Sequence, residues 1–520
     1  MSNTGGLSRA QLIHGLCLPL AVLLGFFLAA PTDPSTVAVV GLVLAVLVSP
    51  LLFQWHHLAL ATSWNAAVAP GFLPGSPYLW MLLAVPSLAL GFVTRSTDPH
   101  RRFLSPPSVA ISLLVLAAVA LTTAALTGGI GVRSLGSERF GGRGYFYILF
   151  AIVGFFALTS QGIPRDRVGL YVGLFFLSGL TALAGNVIYA LGPKAYPLFD
   201  IFPPTWAVGQ AMAIERVDAP EGSARIGGFS QASVLLLCFL LARYGVRRLF
   251  DLTRPWRVVL FLAAAVGILY AGYRSALLLF LMTLAVVFVL EGLHRTRYMV
   301  LALVGSITVL LILLPVLPQM PYVIQRTLAV LPVQVSPAVR EDVRGSTRWR
   351  LEMWQEVARE APRYILLGKG YAIDPRELEL TVEGTWRGRA ARWATASLAR
   401  DYHNGLLSLY VPLGGPGTMA FAWFLFAGGR VLRRNCREGA PEMQYVNRLL
   451  YGYFLARVLY FLFVFGSFFM DLAVFVGLVG LGLSLNAPLW QRKPVVGSLE
   501  TGAQTVYSVW RETQSLSKSQ

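Results

Sequence analysis

Apolar runs of 17 residues or more recur along most of this 520-residue chain, and they restrict its fold more than any other feature. A run of that length crosses the ~30 Å hydrocarbon core of a bilayer as a helix, which satisfies its own backbone where no water can. Thirteen runs are legible: 11–30, 35–53, 77–94, 107–127, 145–163, 168–190, 229–246, 256–272, 274–291, 298–318, 402–427, 445–468 and 470–487. They predict an all-α polytopic transmembrane bundle of about 12–14 spans. Charged residues make up only 13 %, against roughly 25 % in soluble domains. No repeat at a fixed period is visible.

The net charge of +18 is large for so apolar a chain, and its placement sets the topology. Basic residues mark short loops at Arg95, Arg101 and Arg102, at Arg165 and Arg167, and from Arg243 to Arg257. Others follow at Arg295 and Arg297, from Arg430 to Arg437, and at Arg492 and Lys493. These loops alternate correctly if all of them face the cytoplasm, which leaves 191–228, 271–274 and 319–401 outside. The expected division is an N-terminal transmembrane region, 1–318, a large external loop, 319–401, late helices, 402–487, and a polar cytoplasmic tail, 488–520. The N-terminal end stays open. Thirteen spans put it outside, whereas an extra crossing within 54–73, weakened by Pro70 and Pro74, would return it to the cytoplasm.

Basic residues scattered among spans form no contiguous module, so a nucleic-acid partner is not supported. The charge fits contact with anionic membrane lipids. Cys17, Cys238 and Cys436 lie far apart, which supports neither a disulfide framework nor a cysteine metal site.

At 83 residues the external loop far exceeds a connector, and Trp349, Trp354, Trp386 and Trp393 argue for order in it. A helix is expected from Ser346 or Thr347 as N-cap to about Pro362, with Arg350 and Trp354 on one face. It fits an amphipathic helix on the membrane surface or a binding element. Arg274 lies between two apolar runs with almost no connector, outside against the positive-inside trend. Arg225 is also external and also precedes a span. His403, in Asp401-Tyr402-His403-Asn404-Gly405, is the only histidine at the outer face of a late helix; it reads as an interfacial residue or a general base. Guanidinium forks grip phosphate bidentately and keep their charge, which suits a diphosphate.

Four stretches together resemble the O-antigen ligase and O-antigen polymerase family of bacterial membrane glycosyltransferases. Ala224-Arg225-Ile226-Gly227-Gly228-Phe229 is similar to its Arg–Gly–Phe segment, and Tyr273-Arg274-Ser275-Ala276-Leu277 to its SRxxL element. Arg350-x-x-x-Trp354 with Leu367-Gly368-Lys369-Gly370 resembles its RxxxW…GxG loop. His403-Asn404-Gly405-Leu406-Leu407 with Gly414-Gly415-Pro416-Gly417 resembles HNxxL…GxxG. The match covers roughly 220–430; Gln231 and Tyr273 depart from the usual pattern.

The resemblance implies inverting transfer of a glycan from a polyprenyl-diphosphate donor to a glycan or lipid acceptor, on the outer side of the cytoplasmic membrane. In that reading His403, Arg274 and Arg225 are catalytic, His403 as base and the arginines against the leaving diphosphate. Arg350, Trp354, Asn404, Tyr273 and Tyr402 would bind substrate. No cofactor is called for and no metal ligand is assigned; without a DxD-like cluster, Asp374 and Asp401 are the external carboxylates open to an ion. The rival reading is a transporter or flippase of lipid-linked sugars, which would use the same arginines without chemistry. Such proteins favour inverted repeats and broken helices, and the sequence shows neither.

Overall fold

The computed structural model describes residues 54–97 except 72 and 74, 103–131, 141–204, 225–386 except 332, and 394–491, with a few isolated positions besides. The expected spans 11–30 and 35–53, Trp393, most of the loop 205–224 and the tail after 491 lie outside the described residues. Within them the fold is all α-helix. Within the weighed extra crossing, 54–73, helix ends at Ser63 and the described chain continues as turn and loop, so 54–73 forms no separate spanning helix.

Each of the other eleven expected spans has a helix. They are α1 (Leu79–Thr97), α2 (Pro107–Leu126), α3 (Arg143–Leu158), a broken pair α4 (Val168–Leu177) and α5 (Ala184–Leu191), α6 (Gly228–Leu249), α7 (Trp256–Tyr270), α8 (Arg274–Leu290) and α9 (Arg297–Val316). The long connecting segment holds α10 (Tyr322–Leu328), α11 (Pro337–Glu360), α12 (Pro375–Trp386) and α13 (Ala394–Leu398). The late helices are α14 (Gly405–Glu438), α15 (Gln444–Phe463) and α16 (Phe468–Leu485).

Three of the described spans depart from the unbroken helices expected. Helix α6 kinks at Gly245, whose φ is 65°. Between α4 and α5 the chain tightens to a 3-10 helix over Ser178–Leu183. In α14, Gly414 takes a left-handed φ of 69° between Pro412 and Pro416. A proline lacks the N–H for its ladder bond and clashes with the preceding turn, so two prolines and a left-handed glycine kink the helix.

The kink has a protein partner. Carbonyls freed at Val411 and Pro412 accept hydrogen bonds from Lys369 N (2.7 Å) and Gly370 N (3.0 Å), and Gly415 N donates to Ile365 O (2.9 Å). Gly368 sits so close that a Cβ there would collide with Pro412 O. The GxG and GxxG stretches are thus two halves of one backbone joint that fastens the connecting segment to the bundle.

The core is laid around α16, whose apolar window is 78 % buried, against 6 % for α9. Small residues let α16 in: a Cβ at Gly477 would strike Trp64, and one at Gly480 would meet Leu158 of α3 at 3.2 Å. Phe421, Phe461, Phe468 and Phe475 interlock beside it with ring centroids 4.9–6.0 Å apart. At the other end, Asn435, Asn447 and Asn486 satisfy one another and the Gly482 carbonyl through a closed hydrogen-bonded group. α9 keeps its leucines and valines exposed, as a helix facing lipid does.

Candidate active site

Helix α11 is capped ten or eleven residues earlier than the sequence suggests. Pro337 occupies its first turn, where the missing N–H costs nothing, and Ser336 stands at the cap; Ser346 and Thr347 are interior. The predicted end holds: a 3-10 turn at Ala361–Tyr364 contains Pro362. One stripe, Val339, Asp342, Ser346, Trp349, Arg350, Met353 and Val357, repeats every three or four residues and so shares a face. That face organises the site.

At one end of the stripe Asp342 pairs with Arg326 of α10 at 2.9 Å and accepts a hydrogen bond from the Tyr322 hydroxyl at 3.2 Å. One turn on, the Ser346 hydroxyl accepts from Arg274 Nη2 at 2.8 Å. Trp349 meets the His403 ring edge-on with centroids 5.5 Å apart. Ser346 and Trp349 are separated by a rise of about 4.5 Å, so Arg274 and His403 are anchored within one helical turn of each other. Arg350 lies between them, its Nε buried without a partner. Met353 and Val357 then bury against Tyr402 and Val411.

Four guanidinium groups crowd here. Burial, repulsion by Arg225 and Arg274, and attraction to Asp342 leave Arg326 with a pKa pushed down to about 10. Burial, with repulsion from Arg274 and Arg225, also lowers that of Arg350. Arg225 lies across the Tyr273 ring, 5.2 Å from its centroid. Among the described residues, Asp342 is the one carboxylate that makes an ion pair within this group. A partly desolvated positive site of this kind suits an anion with several oxygens.

His403 sits in a tightly held turn. It and Arg400 both adopt left-handed φ, 51° and 56°, which costs a non-glycine residue about 1–3 kcal/mol and persists only where surroundings enforce it. Arg400 is fully buried and bonds Glu377, Gly370 O and Ser397 O. Trp354 Nε1 donates to Tyr402 O at 2.8 Å, and the Asn404 side chain caps α14 by accepting from Leu407 N at 3.1 Å. His403 thus stands just before the helix rather than inside the 402–427 span. Its ring stacks on Phe465, 5.2 Å between centroids. Buried Nδ1 faces Asp401 Oδ1 at 3.6 Å, too long for a hydrogen bond. Burial lowers the imidazole pKa; Asp401 raises it and Arg350 lowers it further. The ring is therefore neutral near pH 7 and free to take a proton.

The structure thus brings Arg225, Arg274, Arg350 and His403 to one place. Tyr273 lies beneath Arg225, while Trp354, Tyr402 and Asn404 hold the His403 turn. Sequence reasoning missed Arg326 and Asp342. Arg326 shows the signal that singled out Arg274, a basic residue in a segment expected outside. It also missed the buried Arg457–Asp471 pair, 3.2 Å apart, although an ionisable residue within a span is itself a functional signal.

No curated protein matches the chain. Residues 258–422 match the O-antigen ligase family, a stretch that includes Arg274, Arg326, Arg350 and His403 and leaves Arg225 outside. The motif resemblance and the family match coincide there: residues 258–422 of this multi-pass membrane protein are similar to the O-antigen ligase family.

Proposed function

We propose that the protein is an inverting glycosyltransferase that moves a glycan from a polyprenyl-diphosphate donor to an acceptor hydroxyl. The reaction would take place at the outer face of the cytoplasmic membrane, in O-antigen or exopolysaccharide polymerisation or in O-antigen ligation. The observation that carries this reading is the α11 face, which gathers a cluster of arginines and a neutral histidine within a few ångströms along one helix.

In the tautomer with its proton on Nδ1, toward Asp401, His403 presents Nε2 as the base. The acceptor hydroxyl gives Nε2 its proton as the oxygen forms a bond to the anomeric carbon. The bond from that carbon to the diphosphate oxygen breaks on the opposite face, and the electron pair leaves with the phosphate. Arg225, Arg274 and Arg350 stabilise the growing charge, with Arg326 behind them. Asp401 positions the imidazole and stabilises it once charged; its 3.6 Å separation can tighten in the complex.

A flippase reading draws on the interrupted helices. At Gly414, however, the break is filled by the connecting segment's own backbone, which favours a structural joint over a transport path. Purified protein in proteoliposomes, given a polyprenyl-diphosphate oligosaccharide and an acceptor, decides between them. Transfer yields a new glycosidic bond of inverted configuration by NMR and free lipid diphosphate. Relocation of intact donor across the bilayer without a new bond would overturn the enzymatic reading.

A further inference from the structure

A cavity of about 310 Å³ opens between α3, α6, α8, α15 and α16, next to the arginine cluster. Its position follows from three contacts. Ala276, in its lining, is two residues from Arg274. Tyr460, also in its lining, interacts with Ser275 and lies within reach of the Arg350 charge. Tyr460 further packs on Phe465, 6.3 Å between centroids, and Phe465 is the ring on which His403 stacks. The cavity therefore meets the site where the arginines and the histidine meet each other.

Its lining is unlike a seat for hydrocarbon. One wall is aromatic: Trp64 and Trp80 lie 5.2 Å apart, and Tyr147 meets Trp80 and Tyr78 edge-on. Facing them are Gln231, Ser230 and the Arg457–Asp471 pair. Arg457 Nε is buried and makes no hydrogen bond, so an N–H donor is left for an occupant. Gln231 spends its Nε2 on Asn65 O at 2.8 Å and makes no other hydrogen bond among the described residues, which leaves its carbonyl as an acceptor. An isoprenyl tail would leave these groups dry and unpaired at a cost of several kcal/mol. The opposite charges of Arg457 and Asp471 cancel, which gives no preference for an acidic ligand.

We propose that this cavity seats the first sugar of the donor, a neutral pyranose. Its apolar face would lie against the aromatic wall and its hydroxyls against Gln231 and Arg457, with the anomeric carbon at the mouth between the arginines and His403. Aromatic faces and fixed amide and guanidinium groups are the usual complement of a sugar ring, and this volume falls at the small end of ligand pockets. The inference rests on the glycosyltransferase reading for the identity of the diphosphate but makes a separate claim about the group attached to it.

The test measures binding of two probes to the full-length protein in detergent: geranyl diphosphate, and the same diphosphate carrying one neutral hexose. Wild type should hold the glycosylated probe about tenfold tighter, the size of one or two hydrogen bonds with their packing. Gln231→Ala, at an accessible position, should lose most of that preference. Val474→Phe, which fills the cavity from a partly exposed lining position, should abolish it. Both should bind the bare diphosphate as wild type does, which also shows that they are folded. Equal affinity of wild type for the two probes, or a preference that survives both substitutions, overturns the proposal. Arg274→Ala separates the two claims: it should weaken both probes alike, and if it weakens neither, the diphosphate reading fails whatever the cavity does.

Discussion

A half-buried arginine and a half-buried arginine cluster sit a short distance apart and are treated in opposite ways. Arg457 is paired with Asp471 at 3.2 Å inside the bundle, where an uncompensated charge would be prohibitive. At the α11 face Arg225, Arg274, Arg326 and Arg350 crowd together, and among the described residues only Arg326 makes an ion pair, with Asp342. The first arrangement is balanced in charge and holds helices together, with one Arg457 N–H left toward the cavity. The second is left in want of negative charge. A fold that can neutralise an arginine in one place and leaves several unneutralised next door marks the second place as the one that meets a ligand.

The comparison can be broken at its strongest point by His403→Ala. Loss of a general base should slow transfer by about 10²–10⁴-fold while donor binding and membrane abundance persist. A variant that keeps the wild-type rate would return His403 to the role of an interfacial residue. Asp471→Asn should act on the other region, lowering stability by about 3–5 kcal/mol, because Arg457 is left buried and alone. Thermal unfolding in detergent would show it; Arg225→Gln, which relieves repulsion, should leave the unfolding temperature nearly unchanged. If the two variants unfold alike, the division between charge-paired and unpaired arginines is wrong.

Arg274→Lys keeps the charge and loses the planar fork, so it should cost about 10²-fold in transfer, nearly as much as Arg274→Ala. A fully active lysine variant would reduce Arg274 to a simple charge. Smaller still is the pH effect. His403 is pushed below its ordinary 6.5, so transfer should hold through neutrality and decline only as acid protonates the ring. Because Asp401 raises that pKa and Arg350 lowers it, Asp401→Asn should move the acid limb to lower pH and Arg350→Gln to higher pH. Shifts of the same sign would exclude the arrangement described. The smallest expected effect is none: with arginines neutralising the diphosphate, EDTA should leave transfer unchanged, and strict Mg²⁺ dependence would assign the role to Asp401 or Asp374.

The spans were legible because their signal is local: run length and hydropathy decide whether a segment can be a helix in lipid. What they do there was not. α9 and α16 read as equally good spans, yet one is bare and the other is the core, and the difference lies in whether small residues such as Gly477 allow neighbours to approach. Arg225, Arg274 and His403 stood out by their external placement beside spans, and with Arg350 they fall in motifs that fix residue types without contacts. Trp354 and Asn404 came with the same motifs, and only tertiary placement shows them gripping the His403 turn. Arg326 carried no motif, and its weight depends on Asp342, sixteen residues away in sequence and brought beside it by the packing of α10 on α11.

Helix α11 also acts as a ruler whose divisions are set by phase. Asp342, Ser346, Trp349 and Arg350 reach toward Arg326, Arg274 and His403 because all four fall within one face about 100° wide around one axis. An extra residue between Ser346 and Trp349 would delete none of these side chains, yet it would turn everything beyond it by about 100°. Phosphate grip and base would then both be present and no longer address the same substrate. The two halves of the chemistry are coupled by periodicity, so the count of residues along that helix is as much a part of the site as their identities.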